Sequence, residues 1–164
     1  MKRKTSSSKL LIPLSIFILT IFILIGGKII KIVPSVLGTT TATSVKEHFI
    51  PIGAGPTNAT EWMNIGGAQV TFDTKNYGSI KKVYFEASVY CATGNQTVWV
   101  RLFNVTDGNI VWNTELSASG SGPTLLTSPA LFLSSGSKTY QVQMKTQLGS
   151  LTELTFARLH ITTN

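Results

Sequence analysis

The stretch from Ile80 to Val111, IKKVYFEASVYCATGNQTVWVRLFNVTDGNIV, decides the fold. From Val83 onward, Val83, Phe85, Ala87, Val89 and Cys91 alternate with Tyr84, Glu86, Ser88 and Tyr90. Successive side chains of a strand point to opposite faces, so this spacing gives a strand with one apolar face and one mixed face. A polar loop leads into a second strand, in which Val98, Val100 and Leu102 face one way and Trp99, Arg101 and Phe103 the other. Asp107-Gly108 then predicts a hairpin, because a type I′ turn needs positive φ at both central residues. A third strand follows over Ile110–Trp112.

Cys91 is the only cysteine, so the chain has no intramolecular disulfide. Its register with Val83, Phe85 and Val89 marks it as a small buried side chain, as free cysteines commonly are.

Charge points away from nucleic acid. The formal charge is +7, with fourteen basic and seven acidic residues. Six of the basic groups (Lys2, Arg3, Lys4, Lys9, Lys28 and Lys31) precede Thr39, and the remainder of the chain is nearly balanced. Phosphate binding needs clustered Lys and Arg on the folded domain. Lys81-Lys82 is the only contiguous pair there.

Upstream, Leu10 to Gly27 (LLIPLSIFILTIFILIGG) carries no charge. As a helix it spans roughly 27 Å, about the thickness of a bilayer core. It exceeds the ~7–15 residues of an ordinary signal-peptide core. Small residues suited to a signal-peptidase cut end at Gly38 and Ala42. Residues 1–38 therefore fit a cleaved signal peptide or a retained anchor, and residues 10–27 make the membrane a partner if the segment is kept. Either way the rest of the chain is expected outside the cell or at its surface.

The chain after residue 38 divides into a linker with a candidate first edge strand (39–52) and a β domain (53–164). Pro51 suits an edge position because it cannot donate to a ladder. Gly53–Asn58 reads as a loop, and Glu61–Gly67 as a lid bringing Trp62 and Ile65 over one end of the core. Ala68–Asp73 is a short strand. SASGSGP, Ser117–Pro123, is a break, and Thr124–Leu133 is an apolar segment interrupted by Pro129. Tyr140–Lys145 and Leu154–Thr162 alternate clearly.

Turn signals between about eight strands, with no amphipathic helix after residue 44, give an all-β chain. The expected architecture is an antiparallel two-sheet β-sandwich of jelly-roll type, preceded by one N-terminal hydrophobic helix. The immunoglobulin alternative lacks its Cys/Trp/Cys framework. The segments VYFEASVY, VRLFNVTDGNIV, LFLSSGSKTYQVQMKT and LTFARLHI resemble secreted bacterial jelly-roll surface domains, similar in outline to carbohydrate-binding modules. The resemblance covers roughly Ile80 to Ile161. It implies a fold and an extracellular recognition role, and carries over no binding residue.

Catalytic patterns are missing. His48 and His160 are far apart, no spacing supports a zinc site, and no Gly-x-Ser-x-Gly elbow occurs. The seven acids are dispersed, whereas glycosidases oppose two carboxylates across a sugar. The chain reads as a non-enzyme with no cofactor. A structural calcium on Asp73 or Glu47 suits a jelly roll, but no ligand spacing identifies one. Asn58, Asn95 and Asn104 head Asn-x-Thr sequons, acceptors only where the host glycosylates.

The candidate ligand-binding residues are Tyr84, Glu86, Trp99, Arg101, Phe103, Gln141, Gln143, Phe156 and Arg158, with Tyr90, Lys145 and His160 beside them. If these strands share a sheet, its face mixes flat aromatics with planar polar groups, which suits a glycan or another surface ligand. The competing reading is that aromatic and charged cross-strand pairs simply stabilise the sheet. Two functions follow: a non-catalytic binding module, or a structural subunit of a surface filament or coat. The second would form homo-oligomers by strand addition through Thr39–Ile52.

Overall fold

Nine strands and one 3-10 turn (Thr74–Tyr77) make up the regular structure among the described residues. The strands are β1 (Lys46–Thr57), β2 (Met63–Asp73), β3 (Ile80–Cys91), β4 (Thr97–Asn104), β5 (Asn109–Ile110), β6 (Leu116–Ser119), β7 (Thr124–Thr127), β8 (Ser137–Thr146) and β9 (Thr152–Thr163). This is a computed structural model, and it describes residues 44–164. The apolar run 10–27, the candidate cut sites and the start of the linker lie outside the described residues. Among the described residues no helix is long and apolar enough to cross a membrane.

The strands form two antiparallel sheets, ordered β1-β9-β3-β7 and β2-β8-β4-β5, with β6 also paired to β4. The chain crosses between the sheets at every connection except those from β4 through β5 to β6. Taking β5 and β6 as one broken strand, the first, last, third and sixth strands face the second, seventh, fourth and fifth. That interleaving is the jelly roll.

The core follows from the alternation. Phe85, Ala87 and Val89 of β3 meet Val98, Val100 and Leu102 of β4 across the sandwich, with Val142 and Met144 of β8 and Leu159 and Ile161 of β9. Cys91 is buried among them. Each such large side chain contributes about 1.5–3 kcal/mol by leaving water, enough together to fold a domain of this size without a disulfide.

Several local readings of the sequence differ from the structure: Leu116–Ser119 form β6 where Ser117–Pro123 reads as a break, the strand read over Ile110–Trp112 is Asn109–Ile110, and four more follow. Gly53–Thr57 continue β1 rather than forming a loop, through register shifts between Pro51 and Gly53 and between Gly53 and Gly55. Gly53 has φ 142°, and a Cβ there would fall 2.1 Å from the Gly67 carbonyl oxygen. Two glycine-rich backbones thus close the open side of the sandwich where side chains would hold them apart.

Glu61–Gly67 is not a lid. Met63–Gly67 begin β2, Ile65 is buried in the core, and Trp62 lies outside the sheet.

The hairpin after β4 is not type I′. Gly108 has φ 69°, but Asp107 is not among the positive-φ residues. The Asn104 side chain holds the loop instead, donating to Asp107 Oδ2 at 2.8 Å and accepting from the Asp107 amide at 3.1 Å.

Only Thr124–Thr127 of the segment before Pro129 are β7. Beyond it the chain stays on the edge of β3, where Ser128 N–H bonds Phe85 O at 2.9 Å and Leu131 N–H bonds Val83 O at 2.8 Å. Pro129 has no N–H to continue the ladder.

Two registers bear on the sites below. Lys46 of β1 and Ile80 of β3 both pair with Thr163 of β9, and the ladder slips between Ile80 and Lys82. Far from that end, Gln96 is 2% exposed and bonds across the β4 and β9 approaches. Its amide donates to Ser150 O at 3.0 Å, Thr152 Oγ1 at 3.2 Å and Cys91 Sγ at 3.3 Å. Its Oε1 accepts from the Leu148 amide at 3.0 Å.

Candidate functional site

The nine residues singled out by alternation point outward, but from opposite sides of the sandwich. Tyr84, Glu86, Phe156 and Arg158 lie on β3 and β9, whereas Trp99, Arg101, Phe103, Gln141 and Gln143 lie on β4 and β8. No single site contains both groups.

Within each face most polar groups pair with one another, although His160 Nε2 is buried without a hydrogen-bond partner among the described residues, 3.7 Å from Glu47 Oε2. Arg158 donates to Glu86 Oε2 at 2.6 Å, and His160 Nδ1 lies 3.1 Å from the other carboxylate oxygen. Glu86 is 8% exposed. The Arg158 guanidinium also sits 4.4 Å from the Phe49 ring centroid and 5.5 Å from that of Phe156. On the other face Arg101 donates to Gln143 at 2.8 Å, Gln143 donates to Asn64 at 2.9 Å, and the Arg101 guanidinium lies 3.9 Å over Trp62. Burial lowers the Arg101 pKa, and the Glu115 carboxylate at 3.9 Å partly opposes that shift. Gln141 is 6% exposed and donates to Ile65 O at 2.6 Å. Polar atoms so engaged have little capacity left for a ligand.

A different place combines shape with unspent chemistry. Between the β5 turn and the segment after β7 lies a cavity of about 180 Å³, flanked by Trp112 and Phe132 and floored by Tyr140, with Asn109 and Ser134 at its rim. Trp112 is 82% and Phe132 99% exposed.

Local bonding explains both positions. Trp112 rides a turn whose next residue, Asn113, has φ 61°. The buried Thr114 hydroxyl donates to Val111 O at 2.6 Å and accepts from Leu102 N–H at 3.1 Å, while Val111 N–H bonds Leu102 O at 3.0 Å. The turn is pinned at both ends, leaving the indole outside. Phe132 follows Leu131, whose burial and bond to Val83 O fix the backbone there, and its own ring lies in solvent.

The floor is electrostatically distinctive. The Tyr140 hydroxyl is buried without a hydrogen-bond partner among the described residues. Burial, and then the Asp107 charge, push its pKa up to about 12, so it is held as a neutral donor. Asp107 is held below the usual carboxylate range, chiefly by its bond from Lys138, against a smaller opposing effect of burial and with help from Ser134 and Asn104. That carboxylate fastens the β4–β5 loop to β8 beside the cavity.

Sequence reasoning missed Trp112, Phe132, Asn109, Ser134 and Tyr140. Trp112 lies in a turn and Phe132 in a Pro-broken segment, where period-two alternation does not apply. The usable signal was Leu131-Phe132-Leu133, three large apolar residues in a row beside a proline.

Calcium takes six to eight oxygen ligands at ~2.3–2.6 Å. The Asp73 carboxylate caps the 3-10 turn, accepting from the Lys75 amide at 2.9 Å, and Glu47 faces His160 at 3.7 Å. Among the described residues no three His, Cys, Asp or Glu side chains are grouped to hold a metal.

Comparison with protein-family models and with curated sequences gives no match. Several solved structures are similar. The CBM36-1 domain of a multidomain xylanase from the hindgut metagenome of Trinervitermes trinervoides aligns over 71% of this chain and 96% of its own, at 15% identity and a TM-score of 0.46. A carbohydrate-binding module CBM36 in complex with calcium and xylotriose aligns over 71% and 99%, at 11% identity and 0.45. Particles derived from infectious bursal virus give 12% identity and 0.46 over 73% of this chain, which spans 32% of the viral one. At these identities the likeness is one of strand arrangement. Carbohydrate-binding modules and a viral particle protein are both among these solved structures.

Proposed function

We propose that the protein is a non-catalytic extracellular binding module that takes a glycan into the Trp112–Phe132 cleft. The observation that carries this reading is two almost fully exposed aromatics lining one cavity together with Asn109, Ser134 and Tyr140. Sugar rings present C–H faces to aromatic planes, and their hydroxyls bond to a few directed polar groups in a concave site. The Trp112 turn is fixed by its own hydrogen bonds, so little ordering cost attaches to binding. On this reading the nine sheet-face residues hold the sheets together and do not contact the glycan.

The structural-subunit reading has less support. Of the Thr39–Ile52 segment it would donate, Lys46 to Pro51 pair with β9 of their own chain, and residues 39–43 lie outside the described residues.

A glycan array probed with the intact chain, with Trp112→Ala and with Phe132→Ala tests the proposal. Both side chains lie in solvent, so the variants should melt with the parent. Binding should fall tenfold or more in each. Undiminished binding by both folded variants would overturn the site, and no glycan binding by the parent would overturn the function.

A further inference from the structure

The Trp112–Phe132 cleft has a neighbour. A second cavity of about 230 Å³ lies behind the same Phe132–Leu133 wall, and its lining includes Ile80, Lys81, Lys82 and Leu131. Phe132 and Leu133 therefore border two compartments, one lined by neutral and aromatic residues, the other with two exposed lysines in its lining. We infer that the two compartments form one groove for a polysaccharide bearing anionic groups, with Lys81 and Lys82 receiving a carboxylate or sulfate next to the sugar stacked at Trp112. This inference rests on the glycan reading and specifies its ligand class.

Strand geometry makes the lysine pair informative. Neighbouring residues of a regular strand point to opposite faces, so two adjacent lysines should not share a cavity. Here the ladder slips: Ile80 pairs with Thr163 but Lys82 with Thr162, leaving Lys81 as the extra residue of a bulge. A bulge re-aims a side chain, and both lysines line the one compartment.

Their charges are unspent. Neither lysine is in a salt bridge among the described residues, and no acid lines either cavity. Acids of the adjoining elements are engaged elsewhere. Asp73 caps the 3-10 turn through the Lys75 amide, and Glu47 stands two strands from Lys82, across Thr162, facing His160. Two adjacent lysines at one part-apolar pocket with no acid in its lining give it a positive potential, which favours a bound anion. Lysine offers a point charge rather than a planar fork, so the site selects for negative charge and not for one acid type.

The test uses the intact chain in a polyoxyethylene detergent, which carries no sugar to compete. Two matched probe pairs are titrated: polygalacturonate against its methyl-esterified form, and dextran sulfate against dextran, beside the array. The expected result is preference for the charged member of at least one pair. Which pair shows it tells carboxylate from sulfate. That preference should fall about tenfold in Lys81→Gln/Lys82→Gln, as for two exposed ion pairs, weaken with added salt, and survive Lys145→Gln on the opposite sheet. Trp112→Ala should weaken charged and neutral probes alike.

Trp112-dependent binding confined to neutral glycans would overturn the inference and leave the glycan reading intact. A charge preference unmoved by the double lysine change would overturn it too. Absence of binding to every probe and array glycan would remove both.

Discussion

Replacing Gln96 by leucine should cost far more than its place in a polar loop suggests. The substitution keeps the side-chain volume and removes the amide. The Leu148 N–H then loses its only recorded acceptor, while Ser150 O and Thr152 Oγ1 each lose a donor but keep their 3.3 Å bond to one another. One orphaned N–H costs about 1–3 kcal/mol and each lost neutral bond about 1 kcal/mol net. The Leu148 side chain is exposed, so water reaches part of that turn and favours the lower end. The expected loss is about 2–3 kcal/mol, or a fall in Tm on the order of 10 °C for a domain of this size. Thermal and urea unfolding of the domain from Ser44 to Asn164 measures it. The same amide stabilises the Cys91 thiolate, so labelling of the native thiol by iodoacetamide near pH 7 should slow in the variant. A Tm within about 2 °C of the parent, with unchanged labelling, would show that Gln96 does not knit the two loops.

Three further outcomes are expected. Gly53→Ala should destabilise by about 3 kcal/mol or more, because its Cβ meets the Gly67 carbonyl on a strained φ; Gly66→Ala, with open space around it, should cost little by the same unfolding assay. Asp107 has a depressed carboxyl in the folded state, so its contribution is present above about pH 4 and lost as pH falls through the lower folded value; Asp107→Asn should flatten the acid limb of a stability-versus-pH curve. Burial pushes the Cys91 thiol up, but hydrogen bonds from Thr93, Gln96 and the Gly94 and Thr93 amides outweigh it and bring the pKa to about 7 from an ordinary 9.0. Stability should therefore rise between pH 7 and 9 and be lost as pH falls through 7; a Cys91→Ala domain should lack that slope in urea titrations.

Where side chains alternate, the sequence was legible. Val83 to Cys91, Val98 to Leu102 and Tyr140 to Met144 bury the residues their spacing assigns inward, and the jelly roll follows from how those strands stack. Alternation says which side of a strand a residue occupies, but not which sheet the strand joins. That is why Trp99 and Phe156 looked like neighbours and lie on opposite surfaces. Glycine misled in the other direction. Gly53 and Gly55 looked like loop residues, and they are where two strands press together too closely for a Cβ. The cleft was hidden because turns make it, and a turn's geometry is set by bonds such as Thr114 to Val111 that no periodicity records.

The shared pairing of Lys46 and Ile80 with Thr163 has a practical consequence. The chain enters β1 and leaves β9 at the same end of the sheet, one residue along from the lysine bulge. A fluorophore, affinity tag or biosensor linkage placed at Val45 or Asn164 would therefore crowd the mouth of the groove and depress the apparent affinity for any long polymer. Immobilisation through the distant turns at Gly94 or Gln147 would leave the groove open to solution. Two preparations differing only in attachment point would then report different affinities from one binding surface.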